Sequence, residues 1–95
     1  MVVGIGFYNI RVSYVNSLKE KRSITMSIKN KLKNKYNISI SEIESNDNHK
    51  NIGLGVSTVS NSKNIVEKTL NDIIVYIEEN YNIDFLDEEI IIDNY

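Results

Sequence analysis

The chain has no cysteine, no proline and no tryptophan among its 95 residues, and it has four glycines and a single histidine. Without cysteine there is no disulfide, no thiolate nucleophile and no cysteine-ligated zinc or iron–sulfur centre. One histidine, His49, does not make a metal centre, because a divalent site needs convergent ligands. It stands beside Asp47 in the polar run 45–51, with Glu42 and Glu44 nearby, and reads as a solvated loop residue. No metal and no cofactor are expected. No window approaches the roughly 18 apolar residues of a membrane span. The N-terminus also lacks the basic, apolar and small-residue regions of a secretory leader. A soluble, cytoplasmic protein with no membrane partner is expected, and the Asn-Ile-Ser sequon at Asn37 is then a chance match. With no linker, low-complexity tract or internal repeat, residues 1–95 read as a single domain around one core.

What is abundant is asparagine, isoleucine and lysine, and the charges are unevenly placed. The formal net charge is −2, yet residues 1–37 carry eight Lys/Arg (Arg11, Lys19, Lys21, Arg22, Lys29, Lys31, Lys33, Lys35) against Glu20 alone. The remainder carries Lys50, Lys63 and Lys68 against twelve acids. Two kinds of surface are expected.

Residues 2–14 alternate, with Tyr8, Ile10 and Val12 to one side and Asn9, Arg11 and Ser13 to the other, which predicts a half-buried strand. Ser17 and Glu20 form a capping box that opens a helix. Ile24, Ile28, Leu32 and Tyr36 recur at i+4 as its buried stripe, and Asn37 is placed to end it in the left-handed region. A second strand runs from Ile38 to about Glu44 and a third over residues 52–59. A second helix starts at Asn61 or Ser62, buries Val66, Leu70, Ile73 and Ile77, and breaks at Asn80-Tyr81-Asn82. Residues 83–92 form a last strand of open register, because Phe85-Leu86 and Ile90-Ile91-Ile92 are adjacent apolar residues. With short, right-handed connections this order gives an α+β, ferredoxin-like βαββαβ sandwich: two helices on one face of a four-stranded antiparallel sheet, the other face open.

Met1-Val2-Val3-Gly4, the string Ser17-Leu18-Lys19-Glu20-Lys21-Arg22, Asn37-Ile38-Ser39-Ile40-Ser41-Glu42-Ile43, and Leu54-Gly55-Val56 with Val59-Ser60-Asn61 together resemble the YlxP-like small conserved bacterial proteins of unknown function. The resemblance runs from residue 1 to about residue 87. It implies a ferredoxin-like fold. Genes of that family keep company with those of translation initiation and ribosome maturation, which implies a link to ribosomal RNA or ribosomal particles. The tryptophan usual in the hairpin loop is absent here, where Asp47-Asn48-His49 stands, so no role carries over from it.

Catalytic readings fail on residues. Gly4-Ile5-Gly6 lies inside a strand, without the third glycine and helix start of a dinucleotide fingerprint. Acylphosphatase-like chemistry needs a glycine-rich cradle and an arginine after the first strand, where Tyr14-Val15-Asn16-Ser17 has neither. No nucleophile–base pair is visible, so no catalytic residues and no enzyme are expected. Base stacking on the sheet is also disfavoured, because Phe7 is opposed by Gly53, Gly55, Ser57 and Val59 on the third strand. Two surfaces remain. Lys19, Arg22, Met26, Lys29 and Lys33 share one side of the first helix, and Lys19, Lys21 and Arg22 oppose its dipole. Ser17, Lys19, Lys21, Arg22, Lys29 and Lys33 are therefore the candidate anion- or RNA-binding set, against the plainer reading of a solvated face neutralised by Glu67, Asp72, Glu78 and Glu79 of the second helix. The alternative working surface is the open sheet, where Ile5, Phe7, Ile43 and Val59 suit a protein partner or a homodimer. Gly53 and Gly55 are expected either to pack inward or to receive a partner's aromatic ring.

Overall fold

The structure is a computed structural model that describes residues 1–44 and 50–95. The elements are β1 (Val2–Arg11), α1 (Leu18–Lys35), β2 (Ser39–Glu44), β3 (Asn51–Ser60), α2 (Lys63–Asn80) and β4 (Asp84–Asn94). All strand pairs are antiparallel, in the order β2-β3-β1-β4. The expected ferredoxin-like sandwich is the one observed. The polar run expected between β2 and β3 falls largely on residues 45–49, including Asp47 and His49, and lies outside the described residues.

The alternation in β1 sorts the two faces. Val2, Tyr8, Ile10 and Val12 turn toward the helices and are buried. Register with β3 places Ile52, Leu54 and Val56 beside them, and α2 covers them with Val66, Leu70, Ile73 and Ile77, the four residues its periodicity predicts. Gly4 and Gly6 lie on the same inner side because the space above them is taken. A Cβ on Gly4 would overlap Val66 Cγ1, and one on Gly6 would come within 2.7 Å of the Tyr8 ring. Tyr8 leans across that gap and donates its hydroxyl to the Leu70 carbonyl at 2.8 Å. Burial, with the Glu88 carboxylate adding to it, pushes its phenol well above the usual value.

Two expectations need correction, and one point left open is settled. The first helix does not end in a left-handed residue: its C-cap is Tyr36, in extended conformation, and among the described residues no non-glycine residue has positive φ. The chain turns straight into β2, and Thr58 Oγ1 anchors that turn on the Asn37 carbonyl at 2.8 Å. The buried side of α1 is Lys21, Thr25, Ile28 and Leu32, with Ile24 and Tyr36 only half-buried. Finally, β4 settles its register through an irregularity opposite Asn9 and Ile10, which turns Phe85, Ile90 and Ile92 inward and Ile91 outward.

Candidate functional site

Ser17 caps α1 as expected, its Oγ accepting the Glu20 N–H at 3.2 Å. The Glu20 carboxylate accepts the Asn16 N–H at 3.0 Å. The helix thus supplies its own anion where its dipole is positive, and Ser17 is committed to the cap rather than to a ligand. That corrects its place in the anion-binding set.

Lys21 is the second correction. Seven residues along a helix return within about 20° of the starting direction, so Lys21 shares a face with Ile28. Its side chain is 5% exposed, running down between α1 and β2 to bring Nζ 3.7 Å from Glu42 Oε2. A long aliphatic stem can occupy an apolar position in this way while its charge finds a carboxylate at the rim. Lys21 is therefore a packing residue and does not reach a polyanion.

The other four cations stand together. Lys19, Arg22 and Lys33 are exposed and Lys29 half-exposed, and the four fall within about 80° of one another around α1. Arg22, Met26 and Lys29 line a shallow depression of about 200 Å³ with Thr25 and Glu42. Among the described residues the ion pairs are Lys21–Glu42 and Lys68–Asp72, and none involves these four. Neutralisation by the acids of α2 was the plainer reading, and geometry counts against it. The side of α1 that meets α2 carries Ser27, Lys31 and Lys35 instead. Ser27 Oγ and Tyr81 Oη share a hydrogen bond at 2.8 Å. Lys31 Nζ lies 5.5 Å from the centre of the Tyr81 ring, and Lys35 Nζ 5.5 Å from that of Tyr76. Tyr36 meets Tyr76 edge-on at 6.5 Å. Apart from Tyr36, which belongs to the α1 stripe, this tyrosine–lysine seam has no sequence signal, because its members come from separate elements and fall outside the apolar stripes. It leaves Lys19, Arg22, Lys29 and Lys33 pointing away from the acidic helix.

The open sheet face carries the other predicted set. Ile5, Phe7, Ile43 and Val59 are all there, between 37% and 51% exposed. Ile43 arrives by a register shift between Glu42 and Glu44 in β2, which lays its side chain over Gly55; a Cβ on Gly55 would meet Ile43 Cγ2 at 2.6 Å. Gly55 is thus covered by its own chain, and no partner aromatic is needed to explain it. Ile91, 42% exposed, joins the patch opposite Ile5. It went unpredicted because three consecutive isoleucines hide the strand's phase. Acids border this face along β4 at Asp84, Asp87, Glu89 and Asp93, each paired across from an outward residue of β1.

Among the described residues no three acidic or imidazole side chains gather as a metal cluster, and no helix is long and apolar enough to cross a membrane.

The family described as "Protein of unknown function (DUF503)" matches residues 3–90. No protein with a curated description matches the chain. Among solved structures, the de novo designed protein Foldit4 is similar at a TM-score of 0.51 and 12% identity, over 100% of this chain and 99% of that one. The de novo designed ferredoxin-fold protein LFR1 1 aligns at 0.47 and 16% identity, over 90% of this chain and 82% of its own. SnoaB, a cofactor-independent oxygenase from Streptomyces nogalater, aligns at 0.44 and 5% identity, over 99% and 91% respectively. At such identities the likeness is one of fold.

Proposed function

The chain belongs to the DUF503 family, whose function is unknown, and we propose that it works by binding RNA, with no covalent step, through the outward side of α1. One observation carries the reading: Lys19, Arg22, Lys29 and Lys33 lie along one side of the helix, turned from the acids of α2 and outside the described ion pairs. From Lys19 to Lys33 the helix rises about 21 Å, enough for several successive phosphates. Contacts of this kind position a nucleic acid without reading its bases. The choice of ribosomal RNA or ribosomal particles, and with it a cytoplasmic setting, rests on the YlxP-like resemblance of the Ser17–Arg22 string. The phosphate chemistry rests on the helix.

The test is co-sedimentation with ribosomal particles and binding to single-stranded RNA across a salt series. With three or four phosphates neutralised, affinity should fall roughly tenfold to twentyfold between 50 and 150 mM salt, and should vary little among sequences. Arg22→Glu combined with Lys29→Glu should abolish association while leaving circular dichroism unchanged. If the double reversal binds as well as wild type, α1 is a solvated face and the sheet becomes the working surface.

A further inference from the structure

The open side of the sheet is not uniformly apolar, and its unevenness has a pattern. On one half, Ser39, Ser41 and Ser57 line a trough of about 250 Å³ with Ile5 and Gly55. It adjoins a second hollow of about 310 Å³ that shares Ser39 and Ser57 and ends at Val59. On the other half, Ile91 stands in the same row, because register runs Ser39, Ser57, Ile5, Ile91 across the four strands. One row up, the order is Ser41, Gly55, Phe7, Glu89. These two rows place small hydroxyl side chains at the β2 side and a bulky or acidic one at the β4 side, whereas the next row, Glu44, Gly53, Asn9, Asp87, has an acid at both ends. Over the two serine rows the halves have complementary shapes, and the Ser41 hydroxyl on one answers the Glu89 carboxylate on the other.

We propose that this face is covered by a second copy of the chain, related by a two-fold axis parallel to the strands between β1 and β3. That axis lays β4 of each copy over β2 of the other. Ile91 of the second copy enters the serine-lined trough, and its Glu89 meets the Ser41 hydroxyl. The opposite choice, an axis across the strands, stacks β4 on β4 and sets Asp87, Glu89 and Asp93 against their like, three acids against the single Asp87–Glu44 approach of the first axis, which costs more affinity through unpaired charge repulsion. A four-stranded face of strands up to 11 residues long covers roughly 600 Å² at about 3.4 Å per residue and about 4.8 Å per strand. The pair buries about 1,200 Å², within the range of specific interfaces. Both helical layers stay outward, so each copy's basic stripe remains accessible.

The chain has no cysteine, so introduced thiols are the sole sites for a short bismaleimide cross-linker. Ser39→Cys and Ile91→Cys are each prepared alone, then mixed. Facing sheets lie about 10 Å apart, within reach of such a reagent. The mixture should give a covalent dimer, and neither variant alone should. Cross-linking of Ile91→Cys by itself overturns the proposed axis. Wild type should sediment at twice 10.9 kDa at concentrations of about 100 μM, and Phe7→Glu should sediment as a monomer with unchanged circular dichroism. Monomeric wild type, or a Phe7→Glu variant that still pairs, overturns the proposal.

Discussion

Truncating Lys21 separates its two contributions, the stem and the charge. The side chain is 5% exposed and lies beside Thr25 and Ile28 under α1, with Nζ 3.7 Å from a Glu42 carboxylate that is 29% exposed. Lys21→Ala removes three buried methylenes, worth about 0.8 kcal/mol each. Relief from holding an ammonium out of water returns part of that, leaving a loss of about 2 kcal/mol. Lys21→Met keeps the stem and drops the charge. Exchanging an ion-paired group for an apolar one of like volume is often neutral or better, so its effect should stay within about 1 kcal/mol. Glu42→Gln sits between them at about 1 kcal/mol, because water reaches the carboxylate and screens the pair. Urea melts with equal slopes provide the measurement, and the order of damage should be Ala, then Gln, then Met. A Met variant as unstable as the Ala variant would refute the packing account and leave the ion pair as the main stabilising contact of this side chain. RNA titrations supply a second readout. Lys21→Met should leave the salt slope unchanged, whereas Lys33→Met should lower it by about 0.7, the loss of one phosphate contact on a single strand.

Two further outcomes test the core. Leu32→Ala should cost about 2–5 kcal/mol as a fully buried large-to-small change, while the exposed neighbour Lys33→Ala should move stability by less than about 0.5 kcal/mol; equal midpoints in urea would mean that the buried side of α1 is wrongly placed. Tyr8→Phe should cost about 1 kcal/mol at neutral pH by deleting the bond to the Leu70 carbonyl, and it should also flatten the alkaline limb. Burial raises the Tyr8 phenol in the folded state, so the unfolded chain ionises first: the contribution is intact below the ordinary value near 10 and is lost as pH climbs beyond it. Melts from pH 8 to 11 that run parallel for wild type and Tyr8→Phe would contradict this.

How much of the fold can be read from the chain depends on how pure each periodic signal is. In α2 the inward positions Val66, Leu70, Ile73 and Ile77 are all apolar, and the stripe is legible without any tertiary knowledge. In α1 the inward positions include a lysine and a threonine, whose polarity masks their burial; the wheel angle of Lys21 relative to Ile28 carried the information, and the charge obscured it. The β4 register was illegible for a different reason. Three adjacent isoleucines have no phase of their own, and the irregularity opposite Asn9 and Ile10 decides which one faces outward. The shift that carries Ile43 over Gly55 is likewise a property of the β2–β3 pair and not of either strand.

The charge split along the chain also changes meaning once the chain is folded. Of the eight cations before residue 38, Lys21 lies beneath α1 against Glu42, Lys31 and Lys35 rest on tyrosine rings, and Arg11 reaches Asn51 Oδ1 at 3.5 Å on the sheet. Half of the apparent basic character is thereby drawn into local contacts, and Lys19, Arg22, Lys29 and Lys33 remain as one directed surface. The acids divide as well. Lys68 pairs with Asp72 on α2, while Asp84, Asp87, Glu89 and Asp93 border the open sheet. A polyanion within a Debye length of about 8 Å at physiological salt meets repulsion over the sheet and attraction over α1. One orientation of approach is then favoured, even though the molecule as a whole is negative. The sheet border does not compete for the same ligand. Its carboxylates sit beside the apolar patch of Ile5, Phe7 and Ile91, an arrangement hostile to phosphate.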